Sequence, residues 1–162
     1  PGVAGVDLLG PDPHLPAGVP LGDGGGFEAL RIEAGMPRMG AELDERTMPH
    51  ETGLVARTVS FTKGCYTGQE LVARVDSRGG HAPRHLRGVV MGTGTPVPPV
   101  GAVVEVDGRE VGRLTSVAES PGLGTAVALA LVRREVAPPA PARARWDGGS
   151  AVAEVRDLPL LS

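Results

Sequence analysis

The sequence holds one cysteine, one tyrosine, one tryptophan and two phenylalanines in 162 residues. Lysine and glutamine each occur once, and asparagine not at all. One thiol cannot close an internal disulfide, so a reducing compartment is expected, and the cytoplasm fits best. With aromatics at 2%, the core must be built from Val, Leu, Ala and Ile. No run of about 18 apolar residues occurs, which excludes a transmembrane helix. The opening stretch, residues 1–16, lacks a basic region followed by an apolar block, so no signal peptide is read there. No HExxH, GxSxG or Cys-pair zinc pattern is present. His81 and His85 lie four apart, but Pro83 between them breaks helical facing, so no metal pair is expected.

Glycine (25) and proline (16) are abundant, which favours turns and short strands over long helices. The net charge is −3, unevenly spread. Residues 1–56 are acidic. Residues 57–87 are basic, with Arg57, Lys63, Arg74, Arg78, Arg84 and Arg87 against Glu70 and Asp76. Residues 88–162 are close to balanced. A basic middle in an acidic chain suggests a local anion site or a solvated charged face, and not a general nucleic-acid surface.

Residues 1–26 read as an irregular lead-in ending in the glycine cluster 22–26, a flexible connector. Phe27 to Ala34 reads as a short helix, with Phe27, Leu30 and Ala34 on one side and Gly35 as its stop. Val59–Thr62 is a short strand candidate, Gly64–Gly68 a turn, and Gln69–Val75 a helix candidate. From residue 85 the hydrophobic period becomes two. The segments His85–Gly92, Ala102–Asp107, Arg109–Ala118, Ala126–Arg133, Ala142–Trp146 and Ala151–Arg156 read as strands. Asp107-Gly108 is a type I′ hairpin signal, and Asp147-Gly148-Gly149 suggests a second hairpin. Residues 138–141 (PPAP) read as a crossing loop. The fold class is α+β, ending in a small antiparallel β-barrel, with a division near residue 82.

The rarest residues are gathered in one place. Lys63, Cys65, Tyr66 and Gln69 are each the sole residue of their type and fall within seven consecutive positions. Scarcity follows from biased composition; clustering does not. A thiolate is the nucleophile and metal ligand that cysteine offers. The ammonium of Lys63 two residues away, and the N–H groups of a helix starting near Gln69, would both lower the pKa of Cys65. The alternative is a small buried hydrophobe. One thiol cannot hold an iron–sulfur cluster alone, so any cluster on Cys65 would be shared with a partner or small thiols.

The eight residues Lys63–Glu70, KGCYTGQE, resemble the hallmark of the YgfZ family of folate-binding, iron–sulfur-linked proteins. That family is similar to the T-protein, or aminomethyltransferase, of the glycine cleavage system. Arg31–Gly40 (RIEAGMPRMG) resembles an RxEAGxPxxG stretch of both groups. Glu42-Leu43, Thr47–Leu54, Val59–Thr62, Val72–Arg74 and Arg78–Gly80 resemble the surrounding blocks.

The resemblance implies that residues 1–82 are the C-terminal, incomplete part of an aminomethyltransferase-like folate-binding domain. Residues 83–162 would then be the C-terminal β-barrel. It implies tetrahydrofolate as cofactor, with Glu33 facing the pterin. Tyr66, Gln69 and Glu70 would order the loop around Cys65; from charge alone, Arg74 or Arg78 could meet a glutamate tail. The implied role is tetrahydrofolate-dependent support of iron–sulfur cluster assembly or repair and of tRNA-modifying iron–sulfur enzymes. Cys65 would be a redox or cluster-contact residue, any cluster being shared, and Lys63 its activator. Partners would be folate, assembly or client proteins, and tRNA only indirectly. Two other classes remain open: a one-carbon aminomethyltransferase, favoured by RIEAG and the barrel, and a truncated binding module.

Overall fold

The computed structural model describes residues 8–77 and 79–161. Three helices and a 3-10 turn precede six strands: α1 Gly24–Glu33, the turn Pro49–Thr52, α2 Val55–Thr58 and α3 Gln69–Ser77. The strands are β1 Arg84–Met91, β2 Val103–Val106, β3 Arg109–Ser120, β4 Thr125–Arg133, β5 Ala140–Trp146 and β6 Gly149–Arg156. They pair antiparallel in the order β1-β4-β3-β2-β5-β6 and close into a barrel through the β1–β6 pairing.

The period-two signal gave all six strands to within a few residues, because each strand alternates a barrel face with an outer face. Val89 and Met91 of β1 and Ala126, Ala128, Ala130 and Val132 of β4 belong to the barrel core with Val104, Leu114, Ala144, Ala153 and Val155. Six strands enclose a narrow interior, and alanine and valine side chains suit it. The turn between β2 and β3 carries Asp107 at φ 51° and Gly108 at φ 74°, as a type I′ turn requires. In the β5–β6 turn only Gly148 takes a positive φ, 85°. The Trp146 ring covers Gly149 there; a Cβ on Gly149 would lie 2.8 Å from ring atoms.

Strands β1 and β4 are also apolar on their outer sides. Leu86, Val90, Val127 and Leu129 form a second cluster there with Ile32 of α1. This explains the near-continuous burial of β4, whose two faces are both covered. Helix α1 packs across β3 and β4, and the 3-10 turn packs on β1. The C-terminal segment runs back over the same side: the Leu160 N–H donates to the Glu33 carbonyl at 2.7 Å, and Leu158 closes on Gly35.

Three local readings are corrected. The glycine cluster is no connector: Gly24–Gly26 form the first turn of α1, because the Asp23 carboxylate caps it by accepting from the Gly26 N–H at 2.6 Å. Val59–Thr62 is not a strand; Val59 closes α2 by donating to the Val55 carbonyl at 2.9 Å. A barrel closed on itself offers no edge to recruit another strand. Ala140 and Pro141 are not loop but the first residues of β5.

Candidate functional site

The motif Lys63–Glu70 spans the connection from α2 to α3: Lys63–Gly68 form a largely exposed loop, and Gln69 and Glu70 begin α3. The first part is bent, with the Lys63 N–H donating to Ser60 Oγ at 3.2 Å. Gly68, at φ 84°, turns the chain into α3, and the Gln69 N–H donates to the Tyr66 carbonyl at 3.2 Å. Cys65 is free and exposed. The Lys63 ammonium lies over the Tyr66 ring, 4.8 Å from its centroid. Such a cation–π contact at an exposed site is worth about 0.5–1 kcal/mol and gives the loop a preferred shape. Tyr66 and Gln69 are half-buried, while Glu70 and Arg74 are exposed and form no ion pair among the described residues. Arg78 lies outside the described residues.

Glu33 belongs to a different part of the molecule. Its Oε1 accepts from Ser120 Oγ at 2.5 Å, at the start of the β3–β4 turn, and its backbone carbonyl holds Leu160. No hydrogen bond or ion pair links it to the 63–74 segment among the described residues. The motif residues thus lie on one loop and the first turn of α3, with Glu33 held apart on the barrel side of α1.

Helix α1 also carries a polar network that sequence reasoning did not single out. Arg31 and Glu42 are both buried and form an ion pair at 3.2 Å. Arg31 also donates to Ser116 Oγ at 2.6 Å, to the Met36 carbonyl at 2.7 Å and to Glu28 at 2.7 Å. Glu42 accepts from Thr115 Oγ1 at 2.7 Å, Ser116 Oγ at 2.5 Å and the Arg38 N–H at 2.9 Å. The Arg31 side chain holds the Glu28 carboxyl below its ordinary range, by hydrogen bond first and by charge. Buried charges persist only when paired and fully hydrogen-bonded, and this pair is. A second buried carboxylate, Glu51, accepts from Arg84 at 2.9 Å and from the Met48 N–H at 3.2 Å. The signal was present: Arg31 opens the RIEAG stretch, and Glu42 and Glu51 sit in the neighbouring blocks. One sequence cannot show which carboxylates are buried.

Near this junction, the His50 ring nitrogens are buried without a hydrogen-bond partner among the described residues. Burial pushes the His85 pKa down, and Arg87 adds to that; Glu51 opposes it.

Two cavities lie on the barrel: about 750 Å³ beside Arg109, Val111, Val136 and Pro139, and about 560 Å³ beside Arg84, Gly112 and Leu131. Neither is bordered by Glu33 or the Cys65 loop. Among the described residues, no group of three or more His, Cys, Asp or Glu could hold a metal ion. Cys65 offers one thiolate ligand.

Residues 84–161 match the family model of the glycine cleavage T-protein C-terminal barrel domain. The chain is 31% identical over 129 residues to an aminomethyltransferase of Staphylococcus carnosus, covering 79% of this chain and 33% of that protein. It is 37% identical over 106 residues to an aminomethyltransferase of Streptomyces avermitilis, covering 65% of this chain and 28% of that protein. It is 42% identical over 79 residues to the tRNA-modifying protein YgfZ of Klebsiella pneumoniae, covering 48% of this chain and 24% of that protein. The glycine cleavage system aminomethyltransferase T of Bartonella henselae shares the fold with a TM-score of 0.64 at 21% identity, over 83% of this chain and 37% of that one. The chain therefore spans about a quarter to a third of the length of these curated relatives. No helix among the described residues is long and apolar enough to cross a membrane.

Proposed function

Given a barrel of the glycine cleavage T-protein C-terminal kind and a chain resembling the C-terminal part of aminomethyltransferase-like proteins, we propose a YgfZ-type role. The whole protein would be a tetrahydrofolate-dependent factor supporting iron–sulfur cluster assembly or repair, and through it the enzymes that modify tRNA. Residues 1–82 would be the end of the folate-binding domain and 83–162 the appended barrel. The observation that carries this reading is the exposed thiol of Cys65, on a loop shaped by the Lys63–Tyr66 contact and delivered onto α3 by Gly68. A thiol in that position can meet a partner protein's cluster, whereas a core thiol cannot. The cluster is cargo in this scheme, with Cys65 as one of its ligands and the rest supplied by the partner.

Glu33 and, separately, the Cys65 loop would each contribute to a pterin site whose remainder comes from outside this chain. Glu33 has one carboxylate oxygen engaged by Ser120, and the other accepts no hydrogen bond among the described residues. Arg74 remains the exposed cation for an anionic tail.

The test is complementation of a strain lacking its own such factor, scored by iron–sulfur enzyme activity and tRNA thiolation, with Cys65→Ser against the parent chain carried in its full-length gene. Loss in the variant at unchanged protein level supports the role. Full activity of Cys65→Ser removes it.

A second reading has its own support. The aminomethyltransferase matches cover more of this chain than the YgfZ match does, 79% and 65% against 48%. A one-carbon transferase would give glycine-cleavage activity that is indifferent to Cys65→Ser.

A further inference from the structure

The β3–β4 ladder runs from the Leu114–Ala130 pair to the Ser120–Thr125 pair. Beyond its first pair the two strands part: Arg109–Arg113 of β3 pair with β2 alone, and Leu131–Arg133 of β4 pair with β1 alone. The cavities of about 750 and 560 Å³ adjoin at this fork, sharing Glu110, Val111 and Arg133. They differ in character. The smaller gathers an arginine from each of three strands, Arg84 of β1, Arg113 of β3 and Arg133 of β4, with Glu110 as its one carboxylate. The larger sets Arg109 and Arg133 against Asp107, Glu110 and Glu135. Its floor is apolar: Val111, Val136 and Ala140 are buried and belong to the barrel core. The turn carrying Val136 is fixed, since the Val136 N–H donates to the Arg133 carbonyl and the Arg134 N–H to the Pro83 carbonyl, both at 3.1 Å.

The three arginines of the smaller cavity are only partly engaged. Arg84 gives Nε and Nη2 to Glu51, and its Nη1 has no partner among the described residues. Arg113 holds Glu110 at 2.9 Å. Arg133 reaches Glu135 only at 4.0 Å, and both of those side chains are 63% exposed. A lone surface guanidinium is usually just solvated. Three lining one cavity are different, because a guanidinium is weakly hydrated and its fork fits carboxylate and phosphate oxygens. An apolar hollow beside a few converging polar groups is the common form of a small-molecule site. We propose that the two cavities together bind an amphipathic organic anion. Its carboxylate or phosphate head sits at Arg84, Arg113 and Arg133, and its apolar body lies over Val111 and Val136. The carboxylates of the larger cavity set the orientation, since they repel the head from that side. The site borders neither Glu33 nor the Cys65 loop, so it does not depend on the folate or cysteine reading.

The probes are octanoate and octyl phosphate, titrated into the full chain and followed by amide NMR shifts. Saturable binding is expected, with shifts centred on Arg84, Gly112, Leu131, Arg133 and Val136; the tighter probe names the head group. Acetate and inorganic phosphate, which lack the body, should bind about ten-fold more weakly or worse. The double variant Arg113→Gln, Arg133→Gln should weaken both octyl probes about ten-fold or more, as loss of hydrogen bonds to a charged group does. Ala137→Trp, on an exposed residue of the larger cavity, should weaken them by filling the space for the body. Arg143→Gln, on an exposed arginine of β5 outside both cavities, should leave binding unchanged. If the double variant fails to fold, Ala137→Trp decides. Absence of saturable binding overturns the proposal. So does octylammonium binding as tightly as octanoate, or inorganic phosphate matching octyl phosphate. Shifts centred instead on the exposed Phe27, Phe61 and Leu71, or binding indifferent to the variants, overturn it as well.

Discussion

Arg31 and Glu42 form a buried ion pair that fastens the helical layer to the barrel. Their 3.2 Å contact is completed on one side by Glu28 and the Met36 carbonyl, and on the other by Thr115 and Ser116 of β3. The pair joins residues eleven apart in the chain to a strand more than seventy residues further on. It is the polar counterpart of the Ile32 contact with Leu129 and Val127 beneath the same helix.

Removing one partner should cost far more than removing both. Arg31→Ala leaves Glu42 buried without its cation and is expected to lower stability by about 3–5 kcal/mol. The double change Arg31→Met, Glu42→Leu leaves no buried charge unpaired and should cost less than the single one. Urea unfolding of the two variants against the parent chain checks this. Equal or greater loss in the double variant would show that the pair is not what holds the helix.

Gly112 of β3 has no room for a side chain against β4. A Cβ there would lie 2.6 Å from the Leu131 carbonyl oxygen, a backbone atom fixed in the barrel ladder. Gly112→Ala is therefore expected to destabilise by about 1–3 kcal/mol, the usual range for overpacking. Gly64→Ala, where a Cβ would meet nothing within 4 Å, should be near neutral. Thermal melts of the two variants distinguish a steric requirement from a general cost of replacing glycine.

Stability should fall with acid in two stages. His85 has its pKa pushed below the ordinary 6.5, first by burial and then by Arg87, with Glu51 opposing and His81 adding slightly. The unfolded chain then binds a proton that the folded chain resists, so this contribution is present above about pH 6.5 and is lost as pH falls below it. Glu28 has its pKa lowered from 4.5 chiefly by Arg31, so its contribution is present above that value and disappears in more acid solution. Denaturant midpoints measured from pH 7.5 to 3.5 should show both stages. His85→Gln should flatten the first and leave the second.

Cys65 should be separable from folding. Its side chain is exposed, so Cys65→Ser should shift the melting temperature little while removing all thiol chemistry. A maleimide probe should label the native chain stoichiometrically without denaturant. Lys63→Met removes the cation over Tyr66 at a stability cost within about 1 kcal/mol, while altering the loop's shape. A native thiol that resists labelling would mean the loop closes over it, contrary to its exposure in the fold.

The barrel was legible in the sequence because a strand's period is two wherever its faces differ, and the Asp107-Gly108 pair names its own turn. The start of α3 was legible as well, since Gly68 and the apolar positions 71, 72 and 75 are local facts. The first turn of α1 was not, because three glycines read as flexible until Asp23 is seen capping them. The supposed strand at 59–62 failed because β-structure needs a partner, and a closed barrel has none to spare.

What the sequence determined by itself was therefore whatever depends on neighbours in the chain: strand period, turn type, and the gathering of Lys63, Cys65 and Tyr66 on one short loop. Only the tertiary structure decided which carboxylates are buried and paired, and that Glu33 meets Ser120 while Glu42 meets Arg31. Burial is set by what folds over a residue from elsewhere in the chain, and local pattern carries no record of that.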